Sequence, residues 1–308
     1  MKVFIMDPVS PKVIEEISKK YETVAYPESR DRNWHEEADA LIVRTWVVSA
    51  EDIEKARNLK IIAKHGVGVD NINVLAAKAN NILVTNTPGA NAISVAEYVV
   101  TLTLSLYRSV PLYSYRVRYG EWKALPKAFE LSEKTVGLVG LGDIGLRVAK
   151  ILKSGFGARV LAYDPYAPEQ LFTENGVERV LTVDDLLTTC DVVSLHVPLT
   201  PQTRNMIARR ELSMMKDDAV LINVSRGGIV NEDDLYDALK NNVIFAAACD
   251  VFVEEPLNKD CPLLELDNFV ASPHVGGSSN ESLIRMGMGA FASVDAALNG
   301  QSPKNLIS

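Results

Sequence analysis

The fold is decided by the stretch Thr135-Val136-Gly137-Leu138-Val139-Gly140-Leu141-Gly142-Asp143-Ile144-Gly145. It joins a β-type run to a helix-like segment, Leu146–Leu152, which is the context that gives Gly-x-Gly-x-x-Gly a meaning. Gly140 allows the tight turn, Gly142 lets the backbone approach a pyrophosphate, and Gly145 lets helix and strand pack closely. The helix N-terminus adds free N–H groups at the positive end of its dipole. Glycines also mark ordinary turns, so this match alone only suggests dinucleotide binding.

The next predicted strand strengthens that interpretation, because it ends in an acid. Arg159–Tyr163 leads into Asp164, which lies 19 residues after Gly145 (164 − 145). A carboxylate at this place accepts both ribose hydroxyls of NAD and repels the 2′-phosphate of NADP. Pro165 and Tyr166 offer no arginine to neutralise such a phosphate. The alternative is a solvated turn residue before proline. The two features together predict NAD as the cofactor, in preference to NADP.

Short apolar runs alternate with longer amphipathic segments along almost the whole chain. Several runs are continuous, as is typical of parallel strands covered by helices on both faces. Repeated strand–helix units with right-handed crossovers predict an α/β fold of two doubly wound parallel-sheet (Rossmann-like) domains. The predicted strands are Val3–Met6, Thr23–Ala25, Ala40–Val43, Lys60–Ala63, Ile82–Thr85, Thr135–Val139, Arg159–Tyr163, Val192–Leu195, Ala219–Ile222, Val243–Ala247 and Asn268–Ala271. The predicted helices include Pro11–Lys20, Ala50–Arg57, Val74–Ala79, Ala92–Tyr107, which joins the domains, and Asn280–Leu298.

The length and the charge of the chain limit the classes of function that it can have. The chain has 308 residues, enough for about two domains. Its 47% hydrophobic and 23% charged residues are typical of an ordinary globular protein. The net charge is 32 − 40 = −8. An acidic surface argues against non-specific nucleic-acid binding and against an anionic membrane surface as partner.

Cysteine and histidine spacings give no metal or disulfide pattern. The three cysteines are Cys190, Cys249 and Cys261, and the four histidines are His35, His65, His196 and His274. They form no Cys-x-x-Cys or His-x-x-x-His spacing, so no metal site is expected. The N-terminus lacks a secretory apolar core, and the most apolar helix candidate, Ala92–Tyr107, is too short to span a bilayer. We therefore expect a reduced, cytoplasmic protein.

Three polar residues follow late predicted strands, where a doubly wound sheet places its ligands. They are Arg226 in a glycine-rich turn, Glu255 in a loop, and His274 before Val275-Gly276-Gly277. An alcohol that loses hydride must also lose a proton, and a histidine can take it near neutral pH. A carboxylate beside the imidazole stabilises its charged form, and an arginine fork binds a substrate carboxylate. Singly, each residue also fits a surface ion pair, a loop acid or a satisfied histidine.

The chain resembles the NAD-dependent D-isomer-specific 2-hydroxyacid dehydrogenases, and among them most closely the D-3-phosphoglycerate dehydrogenases. The likeness extends over nearly the whole sequence. Its markers are Gly66–Asn71, Asn86–Gly89 with Val95–Glu97, Gly140–Gly145, His196–Thr200, Asn223–Gly228, Asp250–Phe252 with Glu255-Pro256, and Ser272–Gly276. By this resemblance, Arg226, Glu255 and His274 form the catalytic trio.

The resemblance also implies binding residues. Cofactor contacts are implied for Val67, Gly140, Gly142, Asp143, Ile144, Gly145, Asp164, Val197, Val224, Ser225, Arg226, Asp250, His274, Gly276 and Gly277. Substrate contacts are implied for Arg44, Gly66, Val67, Gly68, Arg226 and His274. His196 and Asp70 belong to the motifs, but the chemistry does not need them, so we interpret both as structural.

Similar enzymes divide into two domains and dimerise through the nucleotide domain. The implied division is a discontinuous, flavodoxin-like substrate domain, 1–97 plus 286–308, and an NAD-binding Rossmann domain, 98–285. A homodimer is expected on the same ground.

Several functions stay open. The substrate is expected to be a small 2-hydroxy or 2-keto acid, and Arg44 and Lys64 leave room for a second anionic group, as in 3-phosphoglycerate or sulfolactate. Trp46 places a bulky ring beside the presumed substrate loop, which puts 3-phosphoglycerate in doubt. One alternative is a hydroxypyruvate or glyoxylate reductase. An alternative of another class is an NAD-sensing corepressor, which binds partner peptides on the same fold.

Overall fold

A computed structural model of the chain describes residues 1–124 and 127–307. Positions 125, 126 and 308 fall within the predicted domain ranges and lie outside the described residues. The described residues divide into two compact units, 1–91 with 277–307, and 92–276. We call them the discontinuous unit and the central unit. The divisions fall at 91/92 and 276/277, whereas the boundaries predicted at 97/98 and 285/286 would cut through helices.

The elements alternate as the sequence predicts. The discontinuous unit begins with β1 (Lys2–Ile5), α1 (Pro11–Ser18), β2 (Glu22–Ala25), α2 (Glu28–Asp31), α3 (Trp34–Glu37), β3 (Ala40–Val43), α4 (Ala50–Lys55), β4 (Ile61–Lys64), α5 (Val74–Ala79) and β5 (Leu83–Thr85). The central unit contains α6 (Ala92–Tyr107), α7 (Val110–Arg118), β6 (Thr135–Val139), α8 (Asp143–Phe156), β7 (Arg159–Tyr163), α9 (Glu169–Asn175), β8 (Glu178–Arg179), α10 (Val183–Thr189), β9 (Val192–Leu195), α11 (Arg209–Met214), β10 (Val220–Asn223), α12 (Glu232–Lys240), β11 (Ala246–Cys249), a short 3-10 helix (Pro262–Glu265) and β12 (Phe269–Ala271). The chain then returns to the discontinuous unit with α13 (Asn280–Leu298).

Both sheets are parallel throughout their described strands. The discontinuous unit has the order β2-β1-β3-β4-β5, and the central unit has the order β12-β11-β10-β9-β6-β7-β8. The first is the flavodoxin-like doubly wound order. In the second, strand order reverses between β6 and β9. Such a reversal leaves a crevice at the carboxyl ends of the strands, where doubly wound proteins bind ligands. The predicted α/β fold class is confirmed.

Helices cover the sheets and bury their apolar residues. Val99 and Leu106 of α6 pack with Leu138 of β6 in the core of the central unit. Val294 of α13 packs with Ile5 of β1 in the discontinuous unit. Among the described residues, no helix combines the length and the apolar character that crossing a membrane requires.

Candidate active site

The glycine loop lies at the crevice of the central sheet. Gly140 has φ +99°, which L-residues rarely adopt, and a Cβ there would lie 3.0 Å from the backbone of His196, just after β9. A Cβ on Gly145 would lie 2.5 Å from the Gly140 carbonyl oxygen, so only glycine lets α8 start this close to the loop. A Cβ on Gly142 would meet no described atom within 4 Å. This part of the loop therefore presents bare backbone to open space.

The start of α8 suits an anion. Gly142 is the N-cap of α8, and no described side chain caps the helix there. First-turn N–H groups lack intrahelical partners and carry the positive end of the helix dipole. Asp143 and Ile144 form the first turn of α8. These donors fit the pyrophosphate of a dinucleotide, as the glycine spacing predicts.

Asp164 follows β7 and contacts the same loop. Its Oδ2 accepts the N–H of Leu141 at 2.9 Å. Its Oδ1 accepts the N–H groups of Tyr166 at 2.9 Å and Ala167 at 3.1 Å. The carboxylate thus braces the glycine loop, a role that sequence reasoning missed. The Asp-Pro pair is a signal for such a local turn. Oδ1 already accepts two donors, whereas Oδ2 accepts one and keeps a lone pair, so Asp164 can still accept a ribose hydroxyl there.

Glu255 and His274 form a hydrogen-bonded pair. The imidazole Nδ1 of His274 lies 2.9 Å from Oε2 of Glu255. The other oxygen, Oε1, accepts the N–H of Phe252 at 3.0 Å, which fixes the carboxylate. The His274 side chain is half exposed. A carboxylate on one ring nitrogen leaves the other nitrogen free to exchange a proton with a substrate.

The turn that carries His274 is fixed by Asp250, which is 2% exposed. Its Oδ1 accepts the N–H of Val275 at 2.9 Å, and its Oδ2 accepts the N–H of Gly276 at 2.7 Å. The Ser272 hydroxyl donates to Oδ1 at 2.6 Å. Asp250 was predicted as a cofactor contact, and its bonds to the turn had no sequence signal.

Arg226 stands in a loop that the buried Asn223 shapes. Asn223 Nδ2 donates to the Arg226 carbonyl oxygen at 3.0 Å, and Oδ1 accepts the Ser225 hydroxyl at 3.0 Å. A Cβ on Gly227 would lie 1.9 Å from the Phe252 carbonyl oxygen, so glycine is needed where this loop meets the one that leads to Glu255. The backbone thus brings the loops of Arg226 and Glu255 together.

The remaining predicted cofactor residues of the central unit lie close to strand ends. Val197 follows β9, and Val224 and Ser225 follow β10. The structure assigns them no cofactor role by itself, so their contacts stay predictions. Gly277 belongs to the discontinuous unit and also stays a prediction.

His196 does not have the surroundings of an acid–base group. Both ring nitrogens are buried and have no hydrogen-bond partner among the described residues. Burial lowers the pKa of His196 to about 4, so the ring is neutral at pH 7. Asp70 is exposed. These observations agree with a structural interpretation of His196, and they leave the role of Asp70 a prediction.

The predicted substrate residues of the discontinuous unit form a connected loop region. Thr87 hydrogen-bonds the backbone of Gly66 with both its N–H and its hydroxyl, and Asn86 donates to the Val67 carbonyl oxygen at 2.7 Å. Gly68 follows directly after these two residues. The Arg44 guanidinium donates to the Ser278 hydroxyl at 2.7 Å.

The side chains of Lys64 and Trp46 contact other residues of the discontinuous unit. The Lys64 ammonium donates to the Arg44 carbonyl oxygen at 2.6 Å and also to Asn71. The Arg30 guanidinium stacks on the Trp46 ring at 4.7 Å. Since the Lys64 amine already has two oxygen partners, Arg44 is the better candidate of the two for a second anionic group.

The comparisons with known proteins agree with this geometry. Residues 100–276 match the family described as the D-isomer specific 2-hydroxyacid dehydrogenase, NAD binding domain. The chain is 40% identical over 312 residues to the D-3-phosphoglycerate dehydrogenase of Methanocaldococcus jannaschii, covering 100% of this chain and 59% of that protein. It is 40% identical over 296 residues to the hydroxypyruvate reductase of Thermotoga maritima, and the match covers 93% of this chain and 95% of that protein.

A solved structure is similar over the whole chain. The TT0316 protein of Thermus thermophilus superposes with a TM-score of 0.91 at 33% identity, covering 100% of each chain. The chain spans less than two thirds of the phosphoglycerate dehydrogenase relatives, but nearly the full length of the hydroxypyruvate reductase. The predicted family and the NAD-binding domain are confirmed. The chain belongs to the D-isomer specific 2-hydroxyacid dehydrogenase family.

Proposed function

We propose that the chain is an oxidoreductase that transfers a hydride between NAD(H) and a small 2-hydroxy or 2-keto acid. The observation that carries this proposal is the Glu255–His274 pair, 2.9 Å apart, in the unit that matches an NAD-binding domain. Bound NAD supplies the hydride acceptor or donor. The residues of the chain supply binding, orientation and the movement of a proton.

His274 exchanges the proton. Its Nδ1 is held by Glu255, so Nε2 is the nitrogen that takes the hydroxyl proton of a 2-hydroxy acid, or returns one to a keto oxygen. Glu255 stabilises the imidazolium that forms and keeps the ring oriented. Positioned groups of this kind contribute about 10²–10⁴ in rate.

Arg226 binds the substrate carboxylate. A planar guanidinium offers two parallel N–H donors to a carboxylate, which fixes the substrate as well as attracting it. By family resemblance, the backbone of Gly66–Gly68 assists at the carboxylate and Arg44 reaches the far end of the substrate. Asp164 at the end of β7 favours NAD over NADP.

The first candidate is a dehydrogenase for a 2-hydroxy acid that carries a phosphate-like or sulfonate-like group, which Arg44 binds. The second candidate within the class is a hydroxypyruvate or glyoxylate reductase. The first assignment is supported by the relatives named D-3-phosphoglycerate dehydrogenase, and the second by relatives named hydroxypyruvate and glyoxylate reductase. An NAD-sensing corepressor needs no proton-transfer pair, so Glu255–His274 favours the enzyme.

A panel of keto acids tests the proposal. NADH oxidation is followed at 340 nm with hydroxypyruvate, glyoxylate, pyruvate, phosphohydroxypyruvate and sulfopyruvate. Turnover of at least one is expected, and the ratio of kcat/KM values identifies the substrate class. Tight NADH binding with no turnover of any member would contradict the enzyme and favour the corepressor.

We also propose a homodimer through the central unit. Helix α7 has no buried residue, and large apolar side chains are exposed on it or just beyond it, among them Tyr115, Val117, Tyr119 and Trp122. A patch of this kind is typical of a surface covered by another chain. Sedimentation of the wild type and of Tyr119→Glu tests this: a dimer and a monomer are expected, and a monomeric wild type contradicts it.

The proposed location is the cytoplasm. Cys190, Cys249 and Cys261 are free thiols, and burial raises the pKa of Cys190 to about 12. Unpaired cysteines are typical of a reducing compartment. Fractionation of cells that express the tagged chain tests this assignment.

A further inference from the structure

The backbone of His274 is held in an uncommon conformation. Its φ is +54°, in the left-handed region that non-glycine residues rarely adopt. Such a conformation persists only where the surroundings over-determine it. The His274 N–H donates to the carbonyl oxygens of Asp250 at 2.8 Å and Ser272 at 3.1 Å. The position of the imidazole therefore depends on the contacts that hold the 272–276 turn.

Gly276, at the end of this turn, is fixed from two sides. Its N–H donates to Oδ2 of Asp250, which follows β11, at 2.7 Å. Its carbonyl oxygen accepts the hydroxyl of Ser94, in the first turn of α6, at 2.7 Å. Both hydrogen bonds are buried, and a buried polar group that loses its partner is costly. The peptide groups on either side of Gly276 are therefore held in one orientation.

The space around Gly276 leaves the turn little room to shift. A Cβ on Gly276 would lie 3.0 Å from the Asp250 carboxylate and 3.2 Å from the Tyr98 ring. Tyr98 follows Ser94 by four residues, so both side chains lie on one face of α6. Helix α6 thus supplies a hydrogen bond and a packing surface to the same residue of the turn.

We propose that Ser94 is a positioning residue, which acts through the Gly276 carbonyl oxygen. It keeps the 272–276 turn in the conformation that places the His274 imidazole against Glu255. The inference rests on the proposed function, in which His274 moves the proton. Because the Ser94 hydroxyl donates to a backbone carbonyl oxygen, it acts on the reaction only through the turn.

Ser94→Ala tests this role by deleting the hydroxyl that Gly276 accepts. With a keto acid that the wild type turns over, we expect kcat to fall about 3- to 10-fold, the effect of one net hydrogen bond. The dissociation constant of NADH should rise less than kcat falls. Thr103→Val is the matched control, because the Thr103 hydroxyl is also buried on α6 but donates to Val99 of its own helix at 2.8 Å. It should leave kcat unchanged.

The nitrogen chemical shifts of the His274 imidazole give a second measurement, which needs no turnover. The chain has four histidines, so the ring signals are few, and His274→Ala assigns the one that matters. In Ser94→Ala, we expect the His274 signals to move or broaden as the contact with Glu255 loosens. His35, whose ring lies 3.0 Å from Asp52 in the discontinuous unit, is the internal reference and should keep its shifts.

These measurements also separate the inference from the proposed function. If His274→Ala keeps full activity, the proposed role of His274 in proton transfer fails. If His274→Ala loses activity, but Ser94→Ala keeps either the wild-type kcat or the wild-type nitrogen shifts of His274, only the positioning role of Ser94 is overturned.

Discussion

In the central unit, the glycine loop lies where the strand order reverses between β6 and β9. Its backbone faces open space at Gly142, and no described side chain caps the start of α8. In the discontinuous unit, the corresponding reversal lies between β1 and β3, and the loop after β3 points its amides inward. The N–H groups of Arg44, Thr45 and Trp46 all donate to Asp7 Oδ2, at 2.6, 3.0 and 3.0 Å.

The difference shows how one topology serves two purposes. Three successive amides form an anion-binding concavity. The discontinuous unit fills its own with the carboxylate of Asp7, which is 1% exposed. Burial opposes ionisation of Asp7, but the backbone hydrogen bonds from Arg44 and Trp46 outweigh it, so the pKa of Asp7 is lowered. In the central unit, no described side chain caps the start of α8, where we propose that the cofactor pyrophosphate binds.

Gly142→Val tests the proposed pyrophosphate site at the start of α8. The new side chain meets no described atom, and φ −83° with ψ −162° suits valine, so folding should be nearly unaffected. The methyl groups would stand where the pyrophosphate approaches. We expect NADH binding to weaken on the order of 100-fold, about 2.8 kcal/mol. Fluorescence titration measures this.

Gly155→Ala is the control for that variant. It lies on the same helix, and its Cβ also meets open space. It should leave NADH affinity unchanged. If Gly142→Val binds NADH as the wild type does, the phosphate site has been misplaced.

Asp7→Asn tests the stabilising role of the Asp7 carboxylate, which binds the three amides after β3. The amide keeps the shape but loses the charge that the three N–H groups and Arg30 contact. We expect the free energy of unfolding to fall by about 3 kcal/mol at pH 7. Because the folded-state pKa is lowered, the stabilisation by Asp7 is present above the unfolded pKa of about 3.9 and is lost as the pH falls through the folded value.

Denaturant unfolding at pH 7 and in acid measures that difference. The difference in the free energy of unfolding between wild type and Asp7→Asn should become smaller below about pH 4. Glu51→Gln, which breaks an exposed pair with Lys55, should change little at either pH. A gap that is constant with pH would show that the charge of Asp7 is not what stabilises the loop.

Arg226→Lys tests the proposed binding of the substrate carboxylate by Arg226. A lysine keeps the charge but cannot form the planar fork, so KM for the keto acid should rise about 10- to 100-fold. The dissociation constant of NADH should rise less than KM does. Equal damage to both would move Arg226 from the substrate to the cofactor.

Asp164→Ser tests the cofactor preference. Without the carboxylate, the repulsion of a 2′-phosphate is removed, and the ratio of kcat/KM with NADPH to that with NADH should rise about 10-fold. Glu174→Gln removes an exposed acid on α9 and should leave the ratio unchanged. An unchanged ratio in Asp164→Ser would place the selectivity elsewhere.

The sequence predicted the elements whose pattern is local. The bounds of α6, α13, β6, β7 and β9 match the predicted ranges. β8, Glu178–Arg179, was missed because two polar edge residues carry no apolar signal. β11 was predicted at Val243–Ala247 but lies at Ala246–Cys249, since its small residues have weaker β propensity than the Val243-Ile244-Phe245 run before it.

The site was predictable only where chemistry selects residue types. Glu255 and His274 lie in contact, as a carboxylate beside an imidazole requires, while their catalytic roles stay predictions. The bonds that hold the site join Asp250 to Gly276 and Ser94 to Gly276, across 26 and 182 positions. Such contacts depend on how the fold brings distant segments together, and a periodic pattern in the sequence does not predict them.

The His274→Ala enzyme tests the proposed proton transfer most directly, with kcat and the dissociation constant of NADH measured on the same preparation. We expect kcat to fall about 10²–10⁴-fold while the enzyme still binds NADH. An unchanged kcat, with a substrate that the wild type turns over, would contradict the claim that the Glu255–His274 pair moves the proton.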